Sequence, residues 1–125
     1  MLFAARERDL PGGRPLRIWY RVSDLAAARA FYTEKLGFTE TFVDDAEGWV
    51  ALDRGTTEIA IGEGQPEGEE GPVATIDVED VKAERERLEQ AEVAVGTVLE
   101  LHGAMRLLDV FDPDGNRLQL AEELS

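Results

Sequence analysis

Hydrophobic and polar positions alternate over residues 16–22. Ile18, Tyr20 and Val22 fall on one side and Arg17, Trp19 and Arg21 on the other, the period of a half-buried strand. The period then changes. Leu25, Ala28, Phe31, Tyr32 and Leu36 recur at helical spacing, Ser23 or Asp24 stands where an N-cap is needed, and Gly37 fits a left-handed C-terminal cap. Strands are predicted next near 38–44, 48–53 and 57–62. The same order returns further on: a strand at 73–78, a helix at 80–91, then strands near 93–100, 105–111 and 117–122. The second helix carries Lys82–Glu86 and Arg85–Glu89 at i,i+4, as a solvated outer face does.

The two stretches align with each other. "IWYRVSDLAAARAFY" (18–32) lies over "ATIDVEDVKAERERL" (74–88) without a gap, so that Val22 meets Val78, Asp24 meets Asp80 and Arg29 meets Arg85. "RGTTEIAIG" (54–62) lies more loosely over "PDGNRLQLA" (113–121), each a turn followed by an apolar-x-apolar strand. A shared order of elements in both copies points to duplication. The chain therefore divides into an N-terminal arm (1–15), a first βαβββ module (16–62), a glycine- and acid-rich linker (63–72) and a second βαβββ module (73–122), all within one domain. "DPDGN" at 112–116 is a hairpin turn, proline presetting the first turn angle and Gly115 accepting a positive φ.

Composition narrows the function classes. The chain has 125 residues, 43% hydrophobic and 32% charged, within the range of a globular domain. The apolar run at the start is too short for a signal peptide and no stretch is long enough to span a membrane, so a cytoplasmic protein with no membrane partner is expected. A net charge of −14 repels phosphate backbones and argues against nucleic acid, while favouring a cationic small molecule; its plainer role is solubility. The absence of cysteine removes thiolate ligands and thiol nucleophiles. Only Ser23 and Ser125 carry serine hydroxyls, and Lys35 and Lys82 belong to the helices, which nearly excludes familiar nucleophilic catalysis and leaves carboxylates, His102 and the tyrosines as acid–base groups.

"VSDLAAARAFYTEKLGF" early and "DPDGNRLQL" late, within two βαβββ modules, resemble the vicinal oxygen chelate superfamily. That group includes glyoxalase I, extradiol dioxygenases, fosfomycin resistance enzymes and bleomycin resistance proteins. The resemblance covers residues 16–122 and implies an α+β fold, a curved, barrel-like mixed sheet around a cavity with helices outside. It also implies a homodimer, in some members one that completes the cavity across chains. In metal-dependent members four strand positions carry histidine, glutamate or glutamine. Laid onto this sequence they fall at Arg17, Ala60, Val73 and Gln119. Arginine offers no lone pair, alanine and valine no donor atom, and a lone glutamine carbonyl does not hold a catalytic divalent ion. Sliding each strand by one residue or by two recovers no site, so no metal and no cofactor are expected.

What lines the cavity instead follows from the alternation. Trp19 and Arg21 share the face of Arg17, Glu58 that of Ala60, Thr75 and Asp77 that of Val73, and Arg117 that of Gln119. The opposite set is apolar, as a helix-covered face should be. Trp19 can stack on a planar or cationic ligand or else fill a closed core, and Trp49 stands at a rim or an edge. Arg17 and Arg21 either bind an anionic group or pair with Asp77 or Glu58. His102 falls in a loop, solvent-exposed or a general base near the pocket mouth, and a metal site built from it with Glu100 has no motif behind it. The expected function is metal-independent binding of a small molecule, a cationic or aromatic compound such as an antibiotic, with catalytic residues unknown. The alternatives are a glyoxalase-like lyase or isomerase, or a dioxygenase-related enzyme, with a non-standard or absent metal site, and a third is an interaction module.

Overall fold

The computed structural model describes residues 17–124. The predicted arm at 1–15 lies outside the described residues, as does Ser125. The elements run β1 (Ile18–Val22), α1 (Leu25–Ala30), β2 (Thr39–Asp44), β3 (Trp49–Arg54) and β4 (Thr57–Glu63), followed by a single 3-10 turn at Gly68–Glu70. The second half runs β5 (Ala74–Asp77), α2 (Val81–Gln90), β6 (Ala94–Val95), β7 (Leu99–Leu101), β8 (Met105–Phe111) and β9 (Arg117–Glu123). The strand expected over 93–100 is broken into β6 and β7. The strands form a four-stranded sheet ordered β1-β4-β3-β2 and a five-stranded sheet ordered β5-β9-β8-β6, with β7 also on β8. In each, the first strand pairs in parallel with the last and the remaining pairs are antiparallel.

The duplication read from the sequence reappears as geometry. Trp19 pairs with Ala60 in the first sheet, and Thr75, 56 positions after Trp19, pairs with Gln119 in the second. Both helices begin on an aspartate in extended conformation. Asp24 Oδ1 accepts the Ala27 N–H at 3.1 Å, and Asp80 Oδ1 accepts the Ala83 N–H at 3.0 Å, each satisfying an otherwise orphaned donor of the first turn. Ser23 is therefore not the cap. α1 does not end as a regular α-helix. Phe31–Lys35 form a π turn, with Leu36 N–H reaching Phe31 O at 3.3 Å, before Gly37 reverses the chain at φ 76°. The wider turn leaves Phe31 and Tyr32 both buried, their rings edge to face at 5.4 Å.

One buried cluster takes residues from both halves: Tyr20, Tyr32, Leu52, Ile59 and Ile61 from the first, and Ile76, Leu88, Leu108, Leu118 and Leu120 from the second. Of these, Tyr20, Ile59, Ile61, Ile76, Leu118 and Leu120 belong to the alternation set predicted to be apolar. Burying each large side chain contributes about 1.5–3 kcal/mol. A polar seam runs beside this core. The Tyr20 hydroxyl accepts the Ala74 N–H at 2.8 Å and donates to Arg117 O at 2.6 Å. Asn116 Nδ2 donates to Arg21 O and to Asp112 Oδ2, and the Ser23 hydroxyl donates to Asp114 Oδ1 at 2.7 Å. The hairpin "DPDGN" thus does more than turn the chain: it fastens the second half to the end of β1. Each sheet turns its other face away from this shared core.

Candidate binding site

On the first sheet that outward face is built in rows across the strands. One row reads Arg21, Gly62, Trp49, Asp44, and the next Trp19, Ala60, Ala51, Phe42. The middle strand contributes only glycine and alanine, so the large side chains on either side can lean over it. Trp19 and Trp49 meet with ring centroids 5.0 Å apart, and Phe42 meets Trp49 at 5.2 Å, both tilted. Ala60 is fully buried under this aromatic row, while Phe42 is 52% exposed. A partly open shelf of three aromatic rings results. The Arg21 guanidinium lies 5.9 Å from the Trp19 ring centroid, a cation–π contact. Trp19 is half-buried, and its place is on this shelf and outside the core.

Arg17 sits on the same face and donates to Asp53 Oδ1 at 2.7 Å and to Ile59 O at 3.3 Å. Its acid partner comes from β3 of its own sheet, where an acid across the cavity or on β4 (Asp77 or Glu58) was expected. The alternation of β1 fixes which face Arg17 takes, and strand order, which the sequence leaves open, fixes who stands beside it. Arg21 rests over Trp19. Glu58 stands opposite Asp53 in the β3–β4 ladder.

The second sheet carries a smaller polar group. Gln119 pairs with both Thr75 and Asp109 across neighbouring strands. Arg117 Nη1 lies 3.2 Å from Asp109 Oδ2, and Gln119 Nε2 approaches Asp109 Oδ1 at 3.5 Å. Thr75 and Asp77 are exposed, and Val73 is half-buried. The predicted site residues therefore gather in two sets: Arg17, Trp19, Arg21, Trp49 and Glu58 on one sheet, and Thr75, Asp77, Arg117 and Gln119 on the other. His102 belongs to neither set. It is exposed at the tip of the β7–β8 turn with φ 52°. Glu100 is paired with Arg106 at 3.2 Å.

Three participants escape the sequence reading: Phe42, Asp53 and Asp109. Phe42 is hidden by a bulge, since the β2–β3 register shifts between Glu40 and Phe42 and so reverses the parity that simple alternation assigns. Asp53 and Asp109 follow plain alternation and become visible once strand order is known.

The metal positions implied by the resemblance can be judged on their chemistry. Arg17 is held by Asp53, Ala60 is roofed by rings and Gln119 lies against Asp109. Among the described residues no three histidine or carboxylate side chains converge to hold an ion. The residues present do not fit the family's metal.

The family model of the Glyoxalase/Bleomycin resistance protein/Dioxygenase superfamily matches residues 14–120. The chain belongs to that superfamily. None of the curated proteins compared with it matches. Among solved structures, an integron cassette protein from the mobile metagenome of the Halifax Harbour sewage outfall is 23% identical, with a TM-score of 0.74 over 85% of this chain and 95% of that one. TnmS3, an antibiotic-binding protein from Streptomyces sp. CB03234, is 24% identical, with a TM-score of 0.67 over 84% of this chain and 91% of that one. The fosfomycin resistance protein FosX from Listeria monocytogenes, complexed with Mn(II) and sulfate, is 18% identical, with a TM-score of 0.73 over 88% and 90%. At such identities the likeness establishes the superfamily's fold, which hosts binding and catalysis alike. No helix among the described residues is long and apolar enough to cross a membrane.

Proposed function

We propose that this chain captures a planar aromatic small molecule on the outward face of its first sheet, without a metal ion. The observation that carries the reading is the row Phe42–Trp49–Trp19, laid over the small residues Ala60, Gly62 and Ala51 with its outer ring half open to solvent. A folded chain gains little from leaving Phe42 uncovered, whereas a flat ligand stacking there gains about 0.5–1.5 kcal/mol per ring pair beyond its area burial. The donor set described above supports metal independence, and a neighbour in fold is itself an antibiotic-binding protein. Uncovered apolar residues on both sheets, Phe42 and Leu99, support a homodimer in which a second copy supplies the opposite wall.

Titrating the protein with a panel of planar aromatic compounds, antibiotics included, tests the reading through tryptophan fluorescence and thermal unfolding. Saturable quenching is expected, with a stabilisation of about 2.7 kcal/mol at a hundredfold excess over Kd, and prior dialysis against a chelator is expected to change neither. Stoichiometric transition metal in protein purified without chelators, together with loss of binding after its removal, would favour the enzyme alternative.

A further inference from the structure

Arginine placement on the aromatic face carries the reading one step further. Eight arginines lie among the described residues, and seven of them stand 2.7–3.4 Å from a carboxylate, from Arg17–Asp53 on this face to Arg117–Asp109 on the other sheet. Arg21 is the exception. Among the described residues of this acidic chain, of net charge −14, its guanidinium contact is the Trp19 ring. The sheet makes room for it there. A Cβ added to Gly64 would lie 3.1 Å from Arg21 Cδ, and one added to Gly62 would lie 3.6 Å from Arg21 Nη1, so two glycines of the β4 end form its bed. Asp44, at the far end of the same row, accepts the Glu47 N–H at 2.9 Å within its own hairpin.

We infer that the ligand of the aromatic shelf is a planar aromatic carboxylate, its ring on Trp19, Trp49 and Phe42 and its acid group on Arg21. The inference rests on the binding function proposed above and names its ligand class. Net charge argues the other way, toward a cation, but that field is long-ranged and screened within about 10 Å at ordinary salt. At contact distance, and among the described residues, the charge lacking an acid partner is positive. A guanidinium already held against a ring loses little freedom on accepting a carboxylate, and the bond formed is charge-assisted.

Three probes of one shape separate the possibilities: naphthoate, the neutral naphthamide and the cationic naphthylmethylammonium, each titrated by calorimetry into the full chain at neutral pH. Naphthoate is expected to bind roughly ten- to a hundredfold more tightly than the amide, with the cation weakest. In Arg21→Met naphthoate loses its advantage over the amide, and Arg21→Lys keeps part of it. Equal affinities for the three probes, a preference for the cation, or an advantage that survives in Arg21→Met would overturn the inference and leave the aromatic shelf standing. Binding of none of the three removes the proposed function and this inference together. Sedimentation of the same proteins identifies a remaining occupant: if Arg21→Met weakens self-association and leaves naphthoate binding unchanged, the arginine serves a second copy and the inference fails. Should Arg21→Met not fold, the ranking of the probes on the unaltered chain and on Arg21→Lys still decides.

Discussion

The Tyr32 hydroxyl donates to Asp112 Oδ2 at 2.8 Å across 80 positions of chain. Tyr32 is inaccessible to solvent and Asp112 is 4% exposed, so this bond joins the end of the first helical segment to the hairpin of the second half inside the core. The other contacts of Asp112 come from its own turn: the N–H groups of Asp114 and Asn116 reach Oδ1, and Asn116 Nδ2 reaches Oδ2. Tyr32→Phe leaves the buried carboxylate short of a donor and is expected to cost about 1–3 kcal/mol in urea unfolding, with the slope unchanged. A loss below about 0.5 kcal/mol would mean that water takes the donor's place.

Alkaline pH reports on the same seam. Burial pushes the Tyr20 phenol up to about 12, and burial with the nearby Asp112 charge pushes Tyr32 well above its ordinary value. Unfolded tyrosines titrate near 10, so between there and 12 the folded chain holds protons that the unfolded chain has released. Stability is therefore full below pH ~10 and falls as pH rises toward 12, more gently in Tyr20→Phe. These are the chain's two tyrosines, so phenolate absorbance has no other source. It should stay absent until unfolding begins; a titration near pH 10 in the folded protein would contradict the burial of both.

Phe42 should separate binding from stability. Exposed over half its surface, it contributes little to the fold, and Phe42→Ser is expected to shift stability by less than about 0.5 kcal/mol. The same change removes one ring of the shelf and should weaken planar ligands several-fold, read by calorimetry. Unchanged affinity would move the ligand off the Phe42 side of the row.

Ala60→Leu tests the floor beneath the rings. Ala60 is fully buried on the shelf side, between Trp19 on β1 and Ala51 on β3. A larger side chain must lift or part the indoles, at about 1–3 kcal/mol of stability, and planar ligands should then bind weakly. Wild-type affinity in a folded Ala60→Leu protein would show that the two tryptophans do not act as one surface.

Much of this architecture was legible in the sequence because it rests on local periods. Alternation assigned Ile18, Tyr20, Val22, Ile59 and Ile61 to the covered side and Trp19 and Arg21 to the open one, and the repeat placed both helix starts. What escaped depends on relations that no local period encodes. The bulge in β2 reversed the side taken by Phe42, and strand order decided that Arg17 meets Asp53. The break between β6 and β7 goes with a shift of register along β8, where Val95 faces Val110 but Leu99 faces Leu107, so the β6–β7 side has one residue more than β8 between the two pairs. "DPDGN" was read as a turn, which it is. Its second task, gripping Tyr32 and the Arg21 carbonyl, depends on partners 80 and 95 positions away.

The matched pairing of the two halves gives side chains on β1, β3 and β4 of one sheet an address on β5, β8 and β9 of the other. Trp19, Ala60 and Ala51 occupy the places that Thr75, Gln119 and Asp109 hold in the second half. Each sheet can thus be rewritten with its twin as the template, and moving the aromatic trio's neighbours across would set up a second shelf on the same scaffold. A protein assembled this way carries two independently editable outward faces on one shared interior.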